Sequence, residues 1–321
     1  SIGCSPNTAS VLIVSLGCEG TDHERMVKEI SATGKRVEII HIQELGGVSK
    51  AIMAGTNIAR RLAIEASGMQ RSPADISNVV MAIKCGASDT TSGMASNCVI
   101  GYVADRLVDL GATVVFGETT EFIGGEHLLA RRAVSKEVGD QIYTIVNKME
   151  ARAKSLGCDM RKGQPTPGNI AGGLSSIEEK SLGAIVKSGT KPIQGVLDYP
   201  ERVTNQKGLW IKDTPGREPE ILTGMAATGA QFMMFSTGRG APQGFPSMPV
   251  IKICGNPNTY ERMEDDMDLN AGLIITGEKT IEQVGEEAFD KMIRTLNGEM
   301  TKNEAIQYFS SIDIQCLGPV I

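Results

Sequence analysis

Residues 83–101 read IKCGASDTTSGMASNCVIG, and this stretch decides the predicted fold. The apolar residues 79–83 predict a buried strand that Gly86 ends, and apolar residues return at helical spacing from Met94 onward. The loop between strand and helix carries a thiol (Cys85), a carboxylate (Asp89) and several hydroxyls. Such residues also cap helices, so capping and ligand binding both remain open for this loop.

The same alternation of strand and helix recurs along the chain. Strands are predicted at 11–16, 37–42, 78–85, 113–117, 232–235, 250–253 and 272–277, and helices between and after them. Alternation of this kind predicts an α/β fold with parallel sheets. We expect two Rossmann-like, parallel-sheet lobes with helices on both faces, residues 1–160 and 161–321. The change of lobe is placed in the Gly- and Pro-rich stretch after Gly157.

Polar residues follow four of the predicted strands of the first lobe. Cys18 and Glu19 follow the first strand, His41 ends the second, residues 85–89 follow the third and residues 118–121 follow the fourth. Ligands of open α/β sheets bind at the carboxyl ends of the strands, so we expect these groups to meet at one edge. The alternative for both cysteines is a buried, inert thiol.

Composition narrows the class of protein. The net charge is −6 without a basic run, which argues against nucleic acid as a partner. No apolar run is long enough for a membrane span, so no membrane partner is expected. Seven cysteines without paired spacing predict a reducing, cytoplasmic location rather than a disulfide framework.

Common cofactor and nucleophile motifs are missing from the sequence. No GxGxxG opens a helix after a strand, and neither a P-loop nor a GxSxG motif occurs. Nicotinamide, ATP and serine-hydrolase chemistry are therefore disfavoured.

Two single residues stand out as candidates for binding or catalysis. Arg239 lies between Gly238 and Gly240 after a strand, where a guanidinium with bare backbone on both sides suits a carboxylate; the alternative is a surface ion pair. His127 lies at a predicted helix start, where a lone histidine is usually structural, and only its expected nearness to Glu118 and Glu121 supports a functional role.

Several motifs together resemble one family. They are LGCE at 16–19, CGASD at 85–89 with the following SGMASN, GETTEFIGGEHLLARRA at 117–133, PGNIAGGLSSIEEKSLG at 167–183 and FSTGRGAPQGFPSMPVIKICGN at 235–256. In this order they resemble the large domain of the altronate and galactarate dehydratases, a family that also includes the large subunit of sulfolactate sulfo-lyase. The resemblance covers residues 5–277.

The resemblance implies a metal-dependent hydro-lyase of sugar-acid metabolism. Such an enzyme removes water from an altronate- or galactarate-like acid by abstracting the proton α to the carboxylate, which gives a 2-keto-3-deoxy product. It implies a divalent metal, Fe²⁺ first, with Mn²⁺ or Zn²⁺ as alternatives. Two other functions stay open: a sulfo-lyase subunit that releases sulfite from sulfolactate, and a binding subunit without catalysis.

The resemblance also implies roles for individual residues. It implies catalysis by His127, Asp89 and Ser88, with His127 as base or metal ligand. It implies substrate binding by Arg239, Gly238, Gly240, Asn97 and Asn169. It implies metal ligation by Cys18, Cys85, Glu19 and Glu118.

The implied partners are a small anionic hydroxy acid and a small amino-terminal-type domain or subunit. Family members carry this small domain, and we expect it to be absent from this chain. A homo-oligomer is also expected. One departure lies in the central loop, where Ala87 stands in place of the glycine that is frequent in the family.

Overall fold

The computed structural model of the protein describes residues 1–316 and residue 318, and the chain divides into two compact units. Unit 1 is Ser1–Ala74, and unit 2 begins at Asp75.

Unit 1 is built on a two-stranded parallel sheet. Its elements after a short 3₁₀ turn are β1 (Ser10–Ser15), α1 (His23–Ser31), β2 (Arg36–His41) and α2 (Val48–Ser67). The strands pair from Ser10 opposite Arg36 to Ser15 opposite His41. A small core of Cys4, Ile13 and Ile30 holds α1 against the sheet, and the Asp22 side chain caps α1 by accepting the Arg25 N–H.

Unit 2 contains a sheet of seven parallel strands in the order β5-β6-β4-β3-β7-β8-β9. The strands are β3 (Val80–Cys85), β4 (Thr113–Phe116), β5 (Ile193–Leu197), β6 (Gly208–Lys212), β7 (Phe232–Thr237), β8 (Val250–Cys254) and β9 (Leu269–Asn270).

Helices and helical turns connect these strands. The longer helices are α3 (Asn97–Asp109), α5 (Lys136–Ser155), α8 (Ile177–Ile185), α9 (Glu218–Thr228) and α12 (Ile281–Leu296). The shorter ones are α4 (Glu126–Arg131), α6 (Met160–Gly163), α7 (Pro167–Ala171), α10 (Pro257–Arg262), α11 (Gly272–Ile275) and α13 (Lys302–Ala305). A π-helical turn, Ser92–Ser96, leads directly into α3.

The core of unit 2 explains why β3 could be recognised from sequence. Met81, Ala82 and Ile83 are fully buried because β3 lies in the middle of the sheet, between β4 and β7. Side chains of α3 and α12, among them Val99, Val103 and Met292, pack into the same core. A central parallel strand is covered on both faces and is therefore mostly apolar. The predicted α/β class with parallel sheets is confirmed.

The predicted grouping of the strands is wrong. β1 and β2 form their own sheet in unit 1, whereas β3 and β4 lie in the seven-stranded sheet. The boundary at residue 160 is also wrong, because β3 and β4 from before it pair with β6 and β7 from after it. Alternation along the chain predicts parallel pairing but not which strands become neighbours.

Some local predictions need correction as well. The predicted strand at 272–277 begins as the helix α11, and β5, β6 and β9 were not predicted. Periodicity does not separate a short apolar strand from a short buried helix, which is the reason for the first error. For residues 125–155 the sequence predicts one long helix or a broken pair, and the structure has the pair, α4 and α5, because Ser135 caps a new helix by accepting the Val138 N–H. Of the helices in the described part of the chain, none is both long and apolar enough to cross a membrane.

Candidate functional site

The candidate site lies at the carboxyl edge of the seven-stranded sheet, where the loops after β3, β4, β7 and β8 meet. Its centre is the loop of residues 85–91. The Ala87 carbonyl accepts the Arg239 N–H at 2.9 Å, which ties this loop to the end of β7. The Asn169 amide donates to the Ser88 carbonyl at 2.8 Å, which ties it to α7. The edge therefore joins segments that are far apart in sequence.

Asp89 caps the helix start and lines the site at the same time. Its carboxylate accepts hydrogen bonds from the Ser92 N–H at 3.1 Å, the Thr91 hydroxyl at 2.5 Å and the Asn256 amide at 2.9 Å. The side chain is buried. The capping interpretation is thus confirmed for this residue, and ligand binding by it stays a prediction.

The π-helical turn directs Asn97 toward the Cys85 thiol. The Asn97 amide donates to the Gly183 carbonyl at 2.8 Å and lies 3.7 Å from the Cys85 sulfur. Cys85 Sγ and Ser88 Oγ are 2.9 Å apart. The structure therefore brings the predicted residues Cys85, Ser88 and Asn97 into one buried cluster.

A network of buried charges lies beneath this cluster. Lys84 Nζ donates to Glu118 Oε1 at 2.9 Å, and Lys187 Nζ donates to Glu118 Oε2 and, at 2.8 Å, to Glu121 Oε2. Glu118 Oε2 also accepts the Cys85 N–H at 2.8 Å. Lys84, Lys187 and Glu118 side chains are each at most 1% exposed, so nearly all solvent is excluded from these ion pairs.

The network shifts the pKa values of Glu118 and Glu121 in opposite directions. Burial raises the pKa of Glu118, but the charges of Lys187 and Lys84 outweigh it and the pKa is lowered. Burial and repulsion from Glu118 raise the pKa of Glu121. Burial lowers the pKa of Lys84, but the charges of Glu118, Glu218 and Glu121 together outweigh it and the pKa is raised, so Lys84 stays an ammonium ion. Burial, with repulsion from Glu121, raises the pKa of the Cys85 thiol.

These charges open onto a cavity of about 370 Å³, which we call the Lys84 cavity. Charged and polar groups from β3, the turn after β4, α7 and α8 line it, including Lys84, Cys85, Ser88, Glu118, Glu121, Asn169 and Lys180. Lys180 Nζ donates to Gln164 Oε1 at 2.9 Å. The cavity combines ammonium and guanidinium groups with carboxyl, hydroxyl and amide groups, so charges of both signs line it.

A second cavity of about 550 Å³, the Arg239 cavity, lies on the other side of the central loop. Arg239, Arg262, Asn256 and Asp89 are among its lining residues. Arg239 Nη1 donates to the Gly168 carbonyl at 2.9 Å.

The glycines beside Arg239 have packing reasons of their own. A Cβ at Gly238 would lie 2.0 Å from Asp89 Oδ1, and one at Gly240, where φ is +84°, would lie 2.2 Å from Met263 Sδ. Their N–H groups donate to the Ala87 carbonyl and the Thr237 hydroxyl. The expectation that these N–H groups are free for a substrate carboxylate therefore does not fit the structure.

Unit 1 holds Cys18 and Glu19 at the carboxyl end of β1. Glu19 accepts the N–H groups of Leu16 at 2.9 Å and Gly17 at 2.7 Å, and its Oε1 lies 3.1 Å from His23 Nε2. Backbone hydrogen bonds outweigh desolvation and lower the pKa of Glu19 to about 2. Cys18 is exposed and accepts a hydrogen bond from the Gln43 amide at 3.3 Å. Since β1 is not a strand of the seven-stranded sheet, sheet geometry does not bring these residues to Cys85.

His127 is exposed on α4. Among residues 1–316 and 318, no hydrogen bond or ion pair joins it to Glu118 or Glu121, which bind Lys187 instead. The short 3₁₀ turn of Thr119–Glu121 keeps both carboxyl groups buried, whereas α4 begins after it. The expected contact of His127 with these glutamates is therefore not formed.

Glu118, one of the predicted metal ligands, does not fit a metal as it is arranged. Glu118 directs both oxygens at ammonium groups, which repel a cation. The Cys85 thiol is buried, and burial with repulsion from Glu121 raises its pKa. Within the described residues, no group of three or more His, Cys, Asp or Glu side chains is placed to hold a metal ion.

Sequence reasoning missed Lys84, Lys187 and Lys180. The missed signal for Lys84 was a lysine inside an otherwise apolar strand, since lysine is almost never fully buried unless it is paired. Lys187 follows α8, four residues beyond the PGNIAGGLSSIEEKSLG motif of residues 167–183, and nothing local distinguishes it from a surface lysine.

Backbone strain also concentrates at this edge. Among the described residues, four non-glycine residues have positive φ, and two of them, Ala87 (φ 49°) and Glu118 (φ 70°), line the Lys84 cavity. Such conformations cost free energy and cluster at functional sites.

Comparison with known proteins finds a family match in each of the two units. The family described as D-galactarate/Altronate dehydratase, C-terminal, matches residues 76–316, and the one described as D-galactarate dehydratase/Altronate hydrolase, second domain, matches residues 1–67. These two matches coincide closely with unit 2 and unit 1.

Three relatives illustrate the similarity. The chain is 38% identical to the (2R)-sulfolactate sulfo-lyase subunit beta of Chromohalobacter salexigens over 95% of this chain and 78% of that protein. It is 35% identical to the galactarate dehydratase (L-threo-forming) of Escherichia coli over 93% of this chain and 58% of that protein. It is 33% identical to the altronate dehydratase of Bacillus subtilis over 93% of this chain and 59% of that protein. The chain thus spans less than two thirds of either dehydratase.

The predicted resemblance is confirmed by a profile match over most of unit 2 and by relatives above 30% identity across nearly the whole chain. The chain belongs to the galactarate/altronate dehydratase family.

Proposed function

We propose that this protein is a lyase that eliminates water from a small sugar acid in the Lys84 cavity. The observation that carries the proposal is a fully buried ammonium group, Lys84, lining a polar cavity at the ligand-binding edge of the sheet. Family membership supports it, because the relatives include dehydratases of galactarate and altronate.

Elimination of water from a hydroxy acid requires removal of the proton α to the carboxylate. The resulting enediolate carries extra negative charge next to that carboxylate. Ammonium groups held in place by the protein stabilise such charge without reorganisation in the transition state. Lys84, fixed by Glu118, and Lys180, fixed by Gln164, would serve this purpose.

Neutral groups of the cavity would orient the substrate. Ser88 and Asn169, both predicted from the sequence, line the cavity together with Thr166 and Gln164. Hydroxyl and amide groups can bind the hydroxyls of a sugar acid, which places the α carbon near the ammonium groups. No step of this proposal passes through a metal.

The complete enzyme is proposed to need a further part. The dehydratase relatives are substantially longer than this chain, and the sulfo-lyase relative is a subunit by its name. We therefore propose a small amino-terminal-type domain or subunit as partner, and assembly as a homo-oligomer.

A second candidate is elimination of sulfite from sulfolactate. The 38% identity to the sulfo-lyase subunit, over 78% of that protein, favours it. The chemistry again begins with loss of the α proton, and sulfite leaves in place of water.

The test is turnover of galactarate, altronate and sulfolactate by the full chain, with and without the small domain. The assay measures formation of a 2-keto acid or release of sulfite. It is run without added metal and after anaerobic addition of Fe²⁺, Mn²⁺ or Zn²⁺. Binding of all three acids without any turnover would instead support a binding subunit and overturn the lyase.

Matched lysine variants locate the site. Lys84→Met should abolish turnover, because the enediolate loses its nearest buried charge. Lys212→Met is the control, since Lys212 is also buried but donates to the Glu201 carbonyl and does not line the Lys84 cavity. Equal activity of both variants would argue against this cavity.

A further inference from the structure

We propose that Glu121 carries the proton during the elimination and that Lys187 is a positioning residue that holds Glu121 ready for it. This inference rests on the proposed function and names a residue for which the sequence analysis proposed no role.

The two glutamates of the Lys84 cavity are bound very differently. Glu118 accepts hydrogen bonds from Lys84, Lys187 and the Cys85 N–H, so both of its oxygens are engaged. For Glu121, the described residues supply one donor to the carboxyl group, Lys187, at 2.8 Å. Glu118 is therefore a fixed counter-ion. Glu121 also lines the cavity, and among the described residues one of its two carboxyl oxygens has no hydrogen-bond donor.

The position of Glu121 is also fixed by its backbone. Its N–H donates to the Glu118 carbonyl at 2.7 Å, within a single 3₁₀ turn. Lys187 is fully buried and bridges both carboxylates. A group held by a rigid turn and a buried ammonium is well placed to meet a bound substrate in one geometry.

In the proposed step, Glu121 both accepts the proton and returns it. The Glu121 carboxylate takes the α proton; the C–H bond breaks, its electron pair enters the enediolate and an O–H bond forms on Glu121. The enediolate then expels the β oxygen as Glu121 returns the proton to it, so the C–O bond breaks and water leaves. The enol product becomes the 2-keto-3-deoxy acid, and Glu121 is again a carboxylate.

The charged and titratable groups around Glu121 support such a role. They are Glu118 on the same turn, Lys187 after α8, Lys180 on α8, and Lys84 and Cys85 on β3. Burial and Glu118 raise the pKa of Glu121, and Lys187 and Lys180 oppose them. A proton carrier works best when its pKa lies near the working pH, and paired carboxyls whose pKa values are pushed apart commonly divide such tasks.

The experiment compares wild type with Glu121→Gln, which keeps size and polarity. We expect kcat to fall by about 10²- to 10⁴-fold with substrate binding retained. Incorporation of solvent deuterium at the α carbon of unreacted substrate should stop. Glu137→Gln on the exposed face of α5 is the control and should leave kcat and deuterium incorporation unchanged.

Lys187→Met tests the positioning role. Loss of its positive charge should raise the pKa of Glu121 and move the acid limb of the kcat profile to higher pH. A purely structural role would lower thermal stability without moving that limb, and so would overturn the assignment of Lys187.

The outcomes separate this inference from the proposed function. If wild type turns over none of the acids, the proposed function fails. If wild type turns over one of them and Glu121→Gln retains kcat and deuterium exchange, the function stands and the assignment of Glu121 is wrong.

Discussion

The carboxyl ends of β1 and β3 carry similar residues in very different surroundings. Each strand has an apolar run with a cysteine and a small polar loop close behind it, Cys18 after β1 and Cys85 as the last residue of β3. Cys18 is exposed, and its neighbour Glu19 is held by backbone N–H groups. Cys85 is buried above a network of two lysines and two glutamates.

The difference comes from the number of strands beside each one. β1 has a single strand neighbour, β2, whereas β3 has neighbours on both sides in a sheet of seven. Added strands and their loops exclude water from the end of β3, and buried charges must then be paired. A position at a strand end therefore predicts where a residue lies, but its neighbours decide what it can do.

The largest expected difference concerns the two glutamates. Glu118→Gln leaves two buried ammonium groups without their shared counter-ion and should lower the free energy of unfolding by about 3–5 kcal/mol. Glu19→Gln, in the exposed loop of unit 1, should have a much smaller effect. Urea denaturation of both variants measures this. Equal losses would show that the buried network is not more important for stability than the exposed loop.

A second difference concerns the reactivity of the two thiols. Cys18 should be alkylated readily in the native protein, because it is exposed. Cys85 should react only when unit 2 opens, since its thiol is buried and its pKa is raised. Peptide-level mass spectrometry after timed labelling with iodoacetamide measures both rates. Similar alkylation rates of the two thiols at pH 7 would contradict the burial of Cys85.

The smallest expected difference concerns backbone strain in the two loops. Ala87 has φ of 49°, so Ala87→Gly should stabilise unit 2 by up to about 1 kcal/mol, because relief of strain exceeds the extra entropy of the unfolded glycine. Gly17 has φ of 114°, so Gly17→Ala should destabilise unit 1 by about 1 kcal/mol or more. Thermal unfolding of the two variants should therefore shift in opposite directions.

Much of the candidate site could be predicted from sequence. The residues that the loop and the family motifs singled out, Ser88, Asp89, Asn97 and Asn169, do lie around the end of β3. This succeeded because small polar residues after an apolar strand have few other reasons to be there. The contact expected of His127 is not formed, because Glu118 and Glu121 lie buried against Lys187 whereas His127 is exposed on α4. The roles of Cys18 and Glu19, which lie in unit 1, stay predictions.

The α/β class, the ends of β3, β4, β7 and β8 and the family could be found without coordinates, because these depend on local apolar runs and on motifs that are continuous in the chain. Only the tertiary structure decided that Lys84, Lys187, Glu118 and Glu121 form one buried network. These four residues come from three segments, and their charges became strong mutual constraints only when folding removed the water between them.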